Sequence, residues 1–100
     1  MKKDMNRATR EQFYKAVLSL NTVEECIDFF EDMCTPKELE SYVQRFRVGI
    51  RVLNGESYET ISIESNARSN LIFRVKQCLH REKSGLRVAI ERLKEQGVIE

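Results

Sequence analysis

The 100-residue sequence contains one histidine, one proline, four glycines and three cysteines, and these scarcities remove several classes of function at once. A single imidazole, no glycine-rich phosphate loop and carboxylates spread along helical patterns leave no acid–base or nucleophile pair, so an enzyme is not expected. Cys26, Cys34 and Cys78 are odd in number and lack the close paired spacing of a zinc site. Each lies within an apolar pattern, which fits reduced core packing, and neither a metal nor a resident cofactor is expected. No run is long and apolar enough to span a membrane, and the opening "MKKDMNRATREQF" lacks the apolar core of a secretory signal. A cytoplasmic protein without membrane attachment is the expectation. Alternating strand patterns, internal repeats and low-complexity segments are missing as well.

What is present is a globular balance of 41% hydrophobic and 33% charged residues, enough for one small domain. The formal net charge is only +1, but the charge is segregated. Glu24, Glu25, Asp28, Glu31 and Asp32 form a stretch without a basic residue, whereas Ala67 to Arg81 carries Arg68, Arg74, Lys76 and Arg81 without an acid. Such a chain can turn one basic surface toward a polyanion. A merely solvated helix face would have the same composition, and charge alone leaves both readings open.

Helical periodicity runs throughout. Phe13, Ala16, Val17 and Leu20 mark a first helix that ends at "SLNT". Thr22 and Glu25 have capping-box spacing at the start of a second, whose apolar face is Val23, Cys26, Ile27, Phe30 and Met33. Phe29 lies off that stripe, as expected of a helix covered on two sides. A third, longer helix starts with Thr35 as N-cap, Pro36 in the first position, where a missing N–H costs nothing, and Glu38 completing the box. Its face is Leu39, Tyr42, Val43, Phe46, Ile50 and Leu53, and Gly55 supplies a left-handed stop. A last helix runs from about Ser84 to Gln96 with Leu86, Ala89, Ile90 and Leu93 inward, closed by Gly97. The expectation is a single all-α domain over residues 9–97, with residues 1–8 frayed. Apolar faces of this length exceed what so small a chain can cover, which points to a partner subunit.

Between the third and last helices lies "GESYETISIESNARSNLIFRVKQCL", Gly55 to Leu79. Ser57 is the expected N-cap of a short helix with Tyr58 and Ile61 inward, and Asn66 stands where a turn needs positive φ. The next helix starts near Arg68 or Ser69, giving a helix-turn-helix layout over about residues 57–79; ordinary helical hairpins share it. At about 100° per residue, Ile72, Val75 and Leu79 cluster on one side, opposite Asn70, Phe73, Arg74 and Gln77. In a DNA reader Asn70 can pair with adenine, Arg74 with guanine, and Phe73 can touch a thymine methyl. Ser57, Ser69 and the helix N-terminus can hold phosphates, while Arg68, Lys76 and Arg81 add salt-sensitive affinity. An exposed Phe73 suits a protein contact equally, and Leu71 on the flank suits core or interface.

The stretches "LSLNTVEECIDFFEDMCTPKE", "QRFRV", "GESYETI" and "IFRVKQCL" occur in this order over about residues 11–80. In them the chain resembles the Trp repressor family, in particular its TrpR-like branch of the YerC/YecD type. The resemblance implies a Trp repressor-like, intertwined homodimer whose paired helix-turn-helix units enter successive major grooves of a palindromic site, with half-sites about one turn apart. It also implies an effector site. The Thr of the family's "TP" helix start matches Thr35, the Arg ten residues further on matches Arg45, and the Arg of the recognition helix matches Arg74. Arg45 and Arg74 can bracket a ring or hold a carboxylate, so an amino-acid corepressor fits this reading. Val75 stands where tryptophan-binding members have glycine and narrows that slot, which argues against tryptophan itself. A surface or inter-helix salt bridge is the alternative role for Arg45. Asn66 replaces the usual turn glycine, and Leu71 and Phe73 replace small hydroxyl residues, so no relative's operator transfers to this chain.

The leading reading is therefore a sequence-specific DNA-binding transcription factor, a repressor acting as a homodimer, with double-stranded DNA and a second copy as partners and a small-molecule effector left open. The competing reading is a homodimeric interaction module that has lost operator reading and turns Phe73 and Leu71 toward protein. The two differ in salt dependence, steep for phosphate contacts and flat for apolar ones.

Overall fold

The computed structural model describes residues 6–100, and the caps legible in the sequence set where its helices begin. Six helices succeed one another among the described residues, with no strand: α1 (Arg7–Leu18), α2 (Val23–Met33), α3 (Pro36–Leu53), α4 (Tyr58–Ser65), α5 (Ser69–Leu79) and α6 (Gly85–Glu95). At α3 the capping box is complete, Thr35 Oγ1 accepting from Glu38 N at 3.1 Å and Glu38 Oε1 from Thr35 N at 2.9 Å. At α2 Thr22 Oγ1 accepts from Glu25 N at 3.1 Å, but Glu25 reaches one residue further back, to Asn21 N at 2.8 Å. Of the segment expected to fray, residues 1–5 lie outside the described residues. Asn6 caps α1 by accepting from Thr9 N at 2.9 Å, so the helix starts at Arg7.

The chain forms two compact units, one reaching to Leu39 and the other from Glu40 to Glu100. In the first, neither α1 nor α2 has a buried residue. Phe29, off the expected stripe of α2, is the residue that meets α1, its ring 6.0 Å from Phe13 and 5.2 Å from Phe30. Aromatic contact thus fixes which side of α2 turns to α1. The stripe residues Val23, Ile27 and Met33 are left 70%, 48% and 55% exposed in the single chain, so of the two apolar sides expected of α2 only that of Phe29 meets α1.

The second unit has a closed core of Val48, Ile61, Ala67, Ile72, Val75, Leu79 and Ile90, with Phe46, Ile50, Val52, Leu53, Leu71, Leu86 and Ile99 packed around it. Only the C-terminal half of α3 contributes. Tyr42 and Val43 are exposed, whereas Val48 and Gly49, outside the expected stripe, are buried. The cause is α6: a Cβ on Gly49 would stand 3.0 Å from Ile90 Cδ1 and 3.2 Å from Leu86 Cδ2, so the bare glycine lets the two helices approach. On α6 Ala89 is exposed, leaving Leu86, Ile90 and Leu93 as the inward set. On α4 Ile61 alone is buried; Tyr58, a turn earlier at the helix end, stays exposed. Arg51 Nη1 fastens the end of α3 to the segment after it, donating to Glu64 Oε1 at 2.9 Å and Glu56 Oε1 at 2.8 Å. These two partners, Glu64 foremost, hold the guanidinium above its ordinary pKa.

Candidate nucleic-acid interface

Asn66 makes the turn that sets α5 on α4, at φ 57° and ψ 25°. Asparagine tolerates this left-handed conformation better than any residue except glycine. Ala67, 4% exposed, then fills the core, and its N–H donates to Ser65 Oγ at 3.3 Å. Arg68 returns to extended backbone, φ −77° and ψ 156°, and α5 starts at Ser69. The core then grips α5 through Ile72, Val75 and Leu79, all buried as their spacing predicts.

That grip decides what faces outward. Ser69, Asn70, Phe73, Arg74 and Gln77 are all exposed, Phe73 to 61%. Lys76 is half-buried on the flank, with Leu71 half-buried on the other side. Arg74, Gln77, Cys78, His80 and Arg81 line an open depression along the second half of the helix. Among the described residues no ion pair engages Arg68, Arg74, Lys76 or Arg81. Arg68 makes no side-chain cap bond, which leaves the leading amides of α5 without a side-chain acceptor. Ser57 differs: its Oγ caps α4 by accepting from Thr60 N at 3.1 Å while donating to Thr60 Oγ1 at 3.0 Å. It remains exposed but is already in use.

Of the residues matched to an effector site, Thr35 and Arg45 are engaged locally, whereas Arg74 is exposed on the outer face of α5. The Thr35 hydroxyl caps α3. Arg45 lies over the ring of Tyr42, its guanidinium carbon 5.8 Å from the centroid, and takes part in no ion pair among the described residues. The salt-bridge role considered for it is replaced by this cation–π contact, one turn away on its own helix. Val75, next to Arg74 in sequence, is 4% exposed and belongs to the core.

Two residues escaped the sequence reading. Gly49 is legible only once α6 is known to cross it. Arg87 of α6 sends its guanidinium back to the end of α5, to the carbonyls of Leu79, Arg81 and Glu82; an arginine in the first turn of a helix carries no local signal of that kind.

A short helix, a left-handed turn and a core-gripped helix with a basic outer face define a helix-turn-helix protein of all-helical build. The chain belongs to the Trp repressor family: residues 8–94 match the family described as Trp repressor protein, a family of DNA-binding regulators rather than enzymes. It is 38% identical over 85 residues to the uncharacterized protein YerC of Bacillus subtilis (strain 168), covering 85% of this chain and 82% of that protein. Its fold is similar to the crystal structure of a candidate Trp repressor from Staphylococcus aureus, with a TM-score of 0.83, 33% identity and 92% of each chain covered. It is equally similar to that of a TrpR-like protein from Eubacterium eligens ATCC 27750, with a TM-score of 0.82, 35% identity and 100% and 99% of the two chains covered.

Proposed function

We propose that this chain is a cytoplasmic, homodimeric transcriptional repressor that reads a palindromic operator with the outer face of α5. The observation that carries this reading is that face: exposed Asn70, Phe73, Arg74 and Gln77 on a helix whose opposite side is locked in the core, accompanied by cations with no acidic partner among the described residues. Asn70 and Arg74 have the donor patterns for adenine and guanine edges, Phe73 the bulk for a thymine methyl, and Gln77 a further amide. Arg68, Ser69 and the uncapped start of α5 suit phosphate oxygens, with Ser57, Lys76 and Arg81 on the flanks.

Of the three residues matched to an effector site, Thr35 and Arg45 are occupied by neighbours, and Val75 stands beside Arg74. The engagement of Thr35 and Arg45, with a branched residue in place of glycine at position 75, supports operator binding without L-tryptophan, and an amino-acid corepressor is left to the test. The test is selection of genomic fragments by the purified protein near physiological salt, with L-tryptophan, with an amino-acid mixture lacking it, and with neither. The expected result is an enriched palindrome in all arms, no response to tryptophan, and an affinity that falls steeply with salt. A second reading has its own observation: Ile63 on α4 is 80% exposed and Phe73 on α5 is 61% exposed, which suits an apolar protein contact. Absence of enrichment, with DNA binding that is flat across salt, would establish that reading instead.

A further inference from the structure

The C-terminal end of α5 is closed by a residue of another helix. An α-helix leaves its last four carbonyls without helical partners, here those of Lys76, Gln77, Cys78 and Leu79. His80 N–H is shared between Lys76 O at 3.1 Å and Gln77 O at 3.3 Å, and Arg81 N–H donates to Cys78 O at 3.4 Å. The carbonyl of Leu79 is taken by Arg87 Nη1 from α6. The same guanidinium also donates to Arg81 O at 3.2 Å and Glu82 O at 3.3 Å, so one planar fork gathers the helix end and the connection after it. Its main chain is fixed too, Arg87 N donating at 3.1 Å to the hydroxyl of Ser84, the 2% exposed N-cap of α6. No carboxylate competes for the fork, since Arg87 forms no ion pair among the described residues.

The core contacts of Ile72, Val75 and Leu79 keep α5 seated, but apolar contacts are non-directional and allow small rotation and sliding. Base reading needs side chains placed to about 0.5 Å. Hydrogen bonds to backbone carbonyls supply the missing direction, and a cation at a helix C-terminus is favoured by the dipole. We propose that Arg87 is a positioning residue for sequence reading: it fixes the register of α5 from behind and makes no contact with DNA. The proposal rests on the DNA-reading function above.

The experiment compares wild type with Arg87→Met, which keeps the apolar stem, and Arg87→Lys, which keeps the charge but replaces the fork by a point donor. Affinity for the selected fragment and for random-sequence DNA is measured across salt, and amide exchange is followed at residues 79–83. Both variants should lose about tenfold in preference for the selected fragment, the worth of one base contact. Random-sequence affinity and its salt slope should stay as in wild type, and exchange at residues 79–83 should quicken. A phosphate contact would give another pattern: Arg87→Met would lower random-sequence affinity and reduce the salt slope by about one, with Arg87→Lys restoring both. That pattern, or unchanged preference in both variants, would overturn the proposal. Should Arg87→Met fail to fold, Arg87→Lys decides alone. If wild type shows no preference for any fragment, the DNA reading itself has failed, which is visible before any variant is made. Exchange in Arg87→Lys then still decides the anchoring of α5, and unchanged exchange would overturn it.

Discussion

Asn70 and Arg74 lie one turn apart on the outer face of α5, exposed and outside the core. Their truncation should therefore separate binding from folding. Asn70→Ala and Arg74→Ala are each expected to weaken binding to the selected fragment by about 1–3 kcal/mol, the range for a lost bidentate base contact. The unfolding free energy should stay within about 0.5 kcal/mol of wild type, as for surface substitutions generally. Fragment titration and urea unfolding on the same preparations check both halves. If Asn70→Ala leaves fragment choice untouched, Asn70 does not read a base. The same helix shows what a residue's neighbours in sequence reveal. Asn66, Ile72, Val75 and Leu79 were legible because a turn conformation and a helical period are local properties. The carbonyl-gathering role of Arg87 and the engagement of Arg45 by Tyr42 were not, because each depends on which way a long side chain folds back.

Helix boundaries were mostly legible, since caps are written in three or four adjacent residues: Thr35, Pro36 and Glu38 at α3, Ser57 at α4 and Ser84 at α6. Inward faces were less so. Periodicity finds every apolar stripe but not which part another element covers, and α3 carries more apolar surface than α4, α5 and α6 bury. The decisive site is Gly49, a residue that helix propensity alone would replace by alanine at a gain of about 1 kcal/mol. Its value is the approach of α6, since the first carbon added there already stands 3.0 Å from Ile90 Cδ1. A branched side chain has no room and forces Leu86 and Ile90 outward. Gly49→Val should lower unfolding free energy by about 1–3 kcal/mol, the usual cost of overpacking. Urea denaturation measures it, and unchanged stability would mean that α6 does not depend on this contact.

For the whole molecule the two units pose different physical problems. The segment from Glu40 onward closes a core of its own around Val48, Ile61, Ile72 and Ile90. The preceding unit does not: α1 and α2 have no buried residue, and Leu18, Val23, Ile27 and Met33 are all about half exposed or more. Isolated helices of 12 and 11 residues are marginal in water unless an apolar face is covered. A second copy is the cover that the proposed dimer supplies, and folding and association are then linked. That linkage has two consequences. The protein should sediment at twice the mass of one chain, and each tenfold rise in concentration should add about 1.4 kcal/mol to unfolding free energy per dimer. Ile27→Asp places a charge on the exposed stripe of α2 and should shift sedimentation to the single chain, with α1 and α2 losing helical signal while the core around Ile61 persists. If the wild-type chain sediments as a monomer with a melting temperature independent of concentration, α1 and α2 are stable uncovered, and the two-fold palindrome expected of the operator loses its structural basis.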